Sequence, residues 1–122
     1  MARRVERTRA GGQWTESRYF GFIRSTLRRA FTRYPVKHQV KINNRRIKKG
    51  SKRFEYQCEA CRGWFPNSQI EVDHINPAGS LKTFDDLPGF VERLFCEEDN
   101  LQLICKPCHL KKTKEERSRR SK

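Results

Sequence analysis

From Trp14 to Tyr34 apolar side chains return every three or four residues. Phe20, Ile23, Leu27, Phe31 and Tyr34 form one stripe, while Arg18, Arg24, Arg28, Arg29 and Arg33 fill most of the remainder. This spacing predicts an amphipathic helix. Thr15 is placed to cap it and Pro35 to end it. Residues 35–53 lose that period and read as a basic linker; Val40 and Ile42 alternate as in a short strand, and Asn43-Asn44 suits a turn. Ile70, Val72 and His74 alternate with Glu71, Asp73 and Ile75, which predicts a strand closed by Pro77. Asp85-Asp86-Leu87-Pro88 reads as a helix start, and Leu87, Phe90, Val91, Leu94 and Phe95 supply one apolar face. Asp99-Asn100 is a turn, Leu101, Leu103 and Ile104 a second strand, and a basic helix is expected from about Lys106, fraying along the tail.

Only 34% of the 122 residues are hydrophobic and an equal share is charged, so any core is thin. Domains of this kind usually need a disulfide, a metal or a partner. The net charge is +14, and its distribution is uneven. Residues 1–54 carry seventeen Lys/Arg against two Glu, residues 55–110 four Lys/Arg against ten Asp/Glu, and residues 111–122 seven against two. Basic ends suit a polyanion and an acidic middle suits a cation; solvated tails would also account for the ends. No apolar run of signal-peptide or membrane-spanning length is present in the sequence. A reducing compartment is therefore expected: the cytoplasm, or the host cytoplasm for a phage-encoded chain. There cysteines bind metal more often than they pair.

Cys58-x-x-Cys61 and Cys105-x-x-Cys108 are two matched knuckles. Each turn can aim two thiolates at one ion, and two such turns close a tetrahedral structural zinc site. Zinc bound this way contributes about 10–16 kcal/mol in small peptide systems, comparable with the whole stability of an ordinary domain. Gly63 is expected to permit the tight turn after the first knuckle. Cys96 stands apart beside Phe95 and reads as a small buried hydrophobe.

A second polar set lies within and beside the knuckles: Asp73-His74 at the end of one strand, Asn100 before the next, and His109 directly after the last cysteine. The run Glu71-Val72-Asp73-His74-Ile75-Asn76-Pro77, followed by Asp99-Asn100-Leu101-Gln102-Leu103-Ile104-Cys105-Lys106-Pro107-Cys108-His109-Leu110-Lys111-Lys112-Thr113, resembles the HNH endonuclease family. The cysteines resemble its zinc-containing branch, and the resemblance spans residues 54–113. With its basic helical start the chain is also similar to small phage-type HNH proteins. The resemblance implies an α+β chain with a ββα-metal core, two strands and a helix around one catalytic divalent ion, stapled by the four-cysteine zinc and preceded by a basic helical extension. It implies that His74 is a general base activating water. Neutral imidazole, with an unperturbed pKa of about 6.5, suits that task. Asp73 and His109 would be ligands of the catalytic ion, and Asn100 would either hold the base in place or bind metal. An oxygen-plus-imidazole set could take Mg²⁺, Mn²⁺, Ni²⁺ or Zn²⁺. The implied products of phosphodiester hydrolysis carry 5′-phosphate and 3′-hydroxyl ends.

The expected organisation is a flexible basic arm over 1–13, a basic helix and linker over 14–53 that contacts DNA, the zinc-bound nuclease domain over 54–113, and a basic tail over 114–122. Arg24, Arg28, Arg29, Lys111 and Lys112 are the candidate contacts to double-stranded DNA. A phage packaging or other DNA-processing partner is compatible with the pattern, which singles out none. Glu71 could support the site or be solvated, Arg62 could touch phosphate or only solvent, and His38 takes no role. The Asp85-Asp86 pair reads as a cap. Two rival functions remain: a non-catalytic zinc-ribbon module binding nucleic acid, which needs neither Asp73-His74 nor His109, and a ribosome-type RNA-binding protein, which charge alone suggests.

Overall fold

The computed structural model describes residues 4–120. The fold is mixed α and β, with two small antiparallel sheets. In chain order the elements are α1 (Glu16–Ala30), α2 (Pro35–Asn43), β1 (Arg45–Ile47), β2 (Phe54–Gln57), β3 (Trp64–Phe65), β4 (Ile70–His74), α3 (Leu87–Leu94), β5 (Leu101–Cys105) and α4 (Lys106–Arg120). They divide into two compact units. One contains the chain up to Tyr34 with Asn76–Phe95; the other contains Pro35–Ile75 and the chain from Cys96 onward. No helix among the described residues is long and apolar enough to cross a membrane.

In the first unit, Thr15 caps α1 by accepting the Arg18 N–H at 3.2 Å, as its position predicts. Phe20 and Phe31 from the apolar stripe are buried, together with Ala78, Leu81, Phe90 and Leu94. Each large side chain removed from water in this way contributes roughly 1.5–3 kcal/mol. The predicted apolar face of α3 is present, with Phe90 0% exposed. Residues 1–3 of the expected flexible arm lie outside the described residues, and the rest of it contains a hydrogen-bonded turn. Arg9 and Trp14 exchange backbone hydrogen bonds of 3.1 and 3.0 Å around a turn whose Gly11 and Gly12 have φ of +66° and +84°. The Arg9 guanidinium then pairs with Glu16 at 3.0 Å, so this stretch folds back onto the start of α1.

The second unit departs from the sequence reading at its start. Pro35 opens a helix, α2, instead of leading into a linker. A proline fits the first turn, where its missing N–H has no helical partner to lose. The Val40–Ile42 alternation is not a strand: Val40 is 4% exposed and Ile42 45%, a difference set by the helix face. Asn44 stops the helix by donating its side-chain amide to the Val40 carbonyl at 2.8 Å. The strand in this region comes later, as β1. It pairs with β2, and β2 pairs with β3.

The strands β4 and β5 pair over five residues, from Ile70↔Cys105 to His74↔Leu101. Both α2 and α4 pack against this pair. The buried set here is Val40, Cys58, Ile70, Leu101, Leu103, Ile104 and Cys105. The helix α4 runs from Lys106 to Arg120, so the expected basic helix extends through residues 114–120 of the tail. Residues 121 and 122 lie outside the described residues.

Candidate functional site

Both knuckles arrive at one point. The Sγ atoms of Cys58, Cys61, Cys105 and Cys108 all lie within 4.8 Å of one another, and the Cys61 and Cys105 sulfurs are 3.9 Å apart. No disulfide is formed. A tetrahedron with zinc–sulfur arms of about 2.3 Å has edges of about 3.8 Å, so the donor set fits a structural zinc ion. The first knuckle closes through Arg62 N–H to the Cys58 carbonyl at 2.9 Å and Cys58 N–H to the Gly63 carbonyl at 2.9 Å. The second is the junction of β5 with the first turn of α4.

The four thiols influence one another's ionisation. Burial opposes ionisation of Cys58, yet backbone N–H groups of Cys61, Cys105 and Ala60 turned toward its sulfur bring the thiol down to about 6. Cys108 is pushed up to about 12, first by its hydrogen bond with the Cys105 side chain and then by burial. One thiol of the crowded set ionises readily and the last resists it, because each thiolate formed disfavours the next.

Gly63 is not the left-handed residue of the turn. That conformation belongs to Arg62, with φ of +65°. What Gly63 supplies is space, because a Cβ there would stand 2.9 Å from Phe65 Cε2 and 3.5 Å from Cys61 Sγ.

The predicted polar residues gather at the β4–β5 pair and α4. Strand alternation puts Glu71 and Asp73 on one face of β4 and Val72 and His74 on the other. On the first face, His109 of α4 stands between two carboxylates. Its Nδ1 is 3.0 Å from Glu71 Oε2 and its Nε2 is 3.4 Å from Asp73 Oδ1. Asp73 is held further by the Gln102 side-chain amide at 3.0 Å and the Lys112 ammonium at 2.5 Å. Lys112 also donates to the His74 carbonyl at 2.5 Å and lies 3.3 Å from Glu116. Asn100 sits directly across from the end of β4: its carbonyl accepts the Ile75 N–H at 2.8 Å, one step beyond the His74↔Leu101 pair. The Asn100 side chain hydrogen-bonds the Cys96 thiol, which burial pushes upward. Cys96 is thus only half-buried and engaged by a polar partner, and is not the purely apolar filler its neighbours suggested.

Asp73 and His109 therefore meet on one face of β4, while His74 ends the strand on the other face and the Asn100 carbonyl pairs just beyond it. Among the described residues, the four cysteines form the one group of three or more His, Cys, Asp or Glu side chains whose ligand atoms converge for a metal. Asp73 and His109 offer one oxygen and one nitrogen, a donor pair compatible with a divalent cation that keeps further positions for other ligands. Glu71 sits on the remaining nitrogen of His109, the usual partner arrangement for orienting an imidazole ligand.

Three participants went unrecognised or undecided from sequence. Glu71 was legible as sharing a strand face with Asp73, but not as reaching His109. Gln102 follows from the β4–β5 register, which no local pattern specifies. Glu59 binds both backbone groups of Leu103 across 44 residues of chain, and no local signal announces it. The proposed DNA contacts divide. Lys111 is exposed, whereas Lys112 turns inward to Asp73. In the other unit Arg28 lies over the Phe90 ring at 5.9 Å, Arg29 reaches Thr26 at 3.4 Å, and Arg24 is half-buried. The predicted Asp85-Asp86 cap works in reverse. Asp86 reaches back to accept the Lys82 and Thr83 N–H groups at 2.9 and 3.2 Å.

Comparison of the chain with protein-family profiles, with curated proteins and with solved structures finds no match.

Proposed function

We propose that this protein is a metal-dependent endonuclease of the HNH kind that hydrolyses phosphodiester bonds of DNA. The observation that carries the reading is the approach of His109 Nε2 to Asp73 Oδ1, at 3.4 Å, on the strand that ends at His74 and continues into the Ile75–Asn100 backbone bond. A strand, its antiparallel partner and the following helix contribute these residues, in the order that the motif predicts. The four-cysteine site joins β5 to α4 and thereby sets where His109 stands.

A divalent cation held by Asp73 and His109 would supply charge neutralisation at the phosphate and at the departing 3′-oxygen. The remaining work falls to the chain. Glu71 orients His109 through its other ring nitrogen. Gln102 fixes the rotamer of Asp73. His74, on the opposite face at the strand end, takes the proton of the attacking water, a role suited to imidazole near neutrality. The Asn100 carbonyl continues the ladder past His74 and limits movement of the backbone that carries the base.

One observation favours a second reading, a non-catalytic zinc module that binds nucleic acid. The Lys112 ammonium already neutralises Asp73, as it would in a purely structural ion pair. The two readings part in a plasmid assay with Mg²⁺, Mn²⁺, Ni²⁺ or Zn²⁺. The nuclease relaxes or cuts supercoiled DNA, and His74→Ala slows this by about 10²–10⁴-fold with zinc content and circular dichroism unchanged. Absence of cleavage with every metal, together with no metal bound beyond the zinc, would establish the module instead. Cleavage that survives His74→Ala would refute the assigned base.

A further inference from the structure

The most concentrated charge in the second unit is on the β1–β2 hairpin, which the proposed chemistry does not use. Residues 45–53 read Arg-Arg-Ile-Lys-Lys-Gly-Ser-Lys-Arg, six cations and no acid in nine positions. The tip is an ordered turn. Lys48 N–H donates to the Arg53 carbonyl at 2.8 Å, Ser51 N–H to the Lys48 carbonyl at 3.0 Å, and Arg53 N–H to Ser51 Oγ at 2.9 Å. Gly50, with φ of +78°, makes the reversal.

The cations of the stem and of the tip differ in their surroundings. Arg46 lies 3.7 Å over the Trp64 ring and pairs with Glu55 at 2.7 Å. Arg45 lies 4.0 Å over Phe54. These guanidiniums are engaged within the stem. Lys48, Lys49, Lys52 and Arg53 are all exposed, and none of the ion pairs among the described residues includes them. Four uncompensated cations thus share one short, hydrogen-bonded turn.

The shape narrows the partner. β3 pairs only with Tyr56 and Gln57 of β2. Beyond Tyr56 the hairpin is a two-stranded ribbon, with the Ile47↔Phe54 pair exposed at its neck. A two-stranded ribbon fits the major groove of B-form DNA, about 12 Å wide, whereas the A-form major groove is too narrow for side chains to read. We propose that the β1–β2 hairpin is a duplex-DNA-binding arm, whose tip residues Lys48, Lys49, Lys52 and Arg53 contact backbone phosphates along the major groove. This deepens the nuclease reading by naming the element that grips the substrate, and it rests on that reading only for the choice of DNA.

The test is equilibrium binding of the full-length zinc-loaded protein to a short DNA duplex, without added divalent ion, across a salt series. Parent protein is compared with the fourfold variant Lys48→Gln, Lys49→Gln, Lys52→Gln, Arg53→Gln. Lys82→Gln, at an exposed cation outside the hairpin and outside α1, is the control. Each phosphate that the protein no longer neutralises makes the slope of log K against log salt shallower by about 0.9. The fourfold variant is expected to leave two to four phosphates unneutralised, to bind at least about tenfold more weakly at low salt, and to keep its zinc and circular dichroism. An unchanged slope overturns the proposal, as does an equal loss in the Lys82 control. Greater loss on an RNA duplex, or on anionic phosphatidylserine vesicles, than on DNA also overturns it, by assigning the arm to another partner. Since the readout is binding, a protein that binds through the hairpin but cleaves nothing refutes the nuclease chemistry and leaves the arm standing.

Discussion

Glu59 and Leu103 exchange two hydrogen bonds. The Glu59 N–H donates to the Leu103 carbonyl at 2.8 Å, and the Leu103 N–H donates to the Glu59 carboxylate at 2.5 Å. One edge of β5 is occupied by β4, and Glu59 caps the other in the middle of the first cysteine knuckle. The pairing ties the two halves of the metal site together independently of any ion. Glu59→Ala leaves the Leu103 N–H without that acceptor and should cost about 1–3 kcal/mol, read from urea unfolding. Glu59→Gln retains an acceptor oxygen and should recover most of the loss. Equal destabilisation by both variants would mean that charge, not this hydrogen bond, matters.

The cysteine cluster should bind one zinc per chain, measured by elemental analysis. Replacement by Co²⁺ should produce thiolate charge-transfer bands. Cys58→Ser or Cys105→Ser should unfold the second unit, because the binding energy of roughly 10–16 kcal/mol is of the order of the total stability. Cys96→Ser should leave the metal in place. Zinc lost on Cys96→Ser, or retained in Cys58→Ser, would contradict the assignment.

The two residues after Cys61 make opposite predictions. Arg62 adopts φ of +65°, which costs an L-residue roughly 1–2 kcal/mol, so Arg62→Gly should be neutral or stabilising by up to about 1 kcal/mol. Gly63→Ala pushes a methyl to 2.9 Å from the Phe65 ring and should destabilise by about 1–3 kcal/mol. A series of thermal midpoints decides. A harmless Gly63→Ala would show that Phe65 yields freely.

Lys112 and a divalent cation would compete for the same carboxylate. With the ammonium 2.5 Å from Asp73 Oδ2, Lys112→Met should strengthen Mn²⁺ binding to the zinc-loaded protein by at least about tenfold, or 1.4 kcal/mol. Calorimetric titration measures it. Unchanged affinity would place the second metal elsewhere, or nowhere.

Asp86 gives the first unit an acid-sensitive element. Backbone N–H donation from Lys82, then from Thr83, holds its carboxyl below the usual carboxylate range. A depressed folded-state pKa contributes stability that is present above the unfolded value and lost as pH falls through the folded one. The thermal midpoint should therefore decline as pH is lowered below about 4, and Asp86→Asn should flatten that part of the profile. An acid limb unchanged by the substitution would assign it to other carboxylates.

Much of this protein could be read locally. Two cysteine knuckles, an alternating strand ending in Asp73-His74, the α3 stripe and a capping Thr15 are each short-range patterns. Their meaning depends on chemistry within a few residues, and the structure keeps them. The candidate site was legible as a set of residue types in a given order. Its supporting shell was not, because Gln102 on Asp73, Glu71 on His109 and Glu59 on Leu103 are pairings across 29 to 44 residues.

Where sequence reading failed, two local signals were nearly balanced and packing decided between them. Val40 and Ile42 alternate like a strand, yet burial of Val40 after a proline-started turn makes the segment helical. Gly63 looked like the residue needed for φ freedom, but the ring of Phe65 requires its missing Cβ while Arg62 takes the unusual backbone. The inward turn of Lys112 and the bracing of Arg45 and Arg46 by Phe54 and Trp64 were likewise invisible, since a run of cations has the same sequence whether it is paired or free. The sequence by itself determined which ligands, acids and bases this chain possesses and in what order. Only the tertiary structure decided which of their charges are compensated, because compensation depends on distances between elements that no local period encodes.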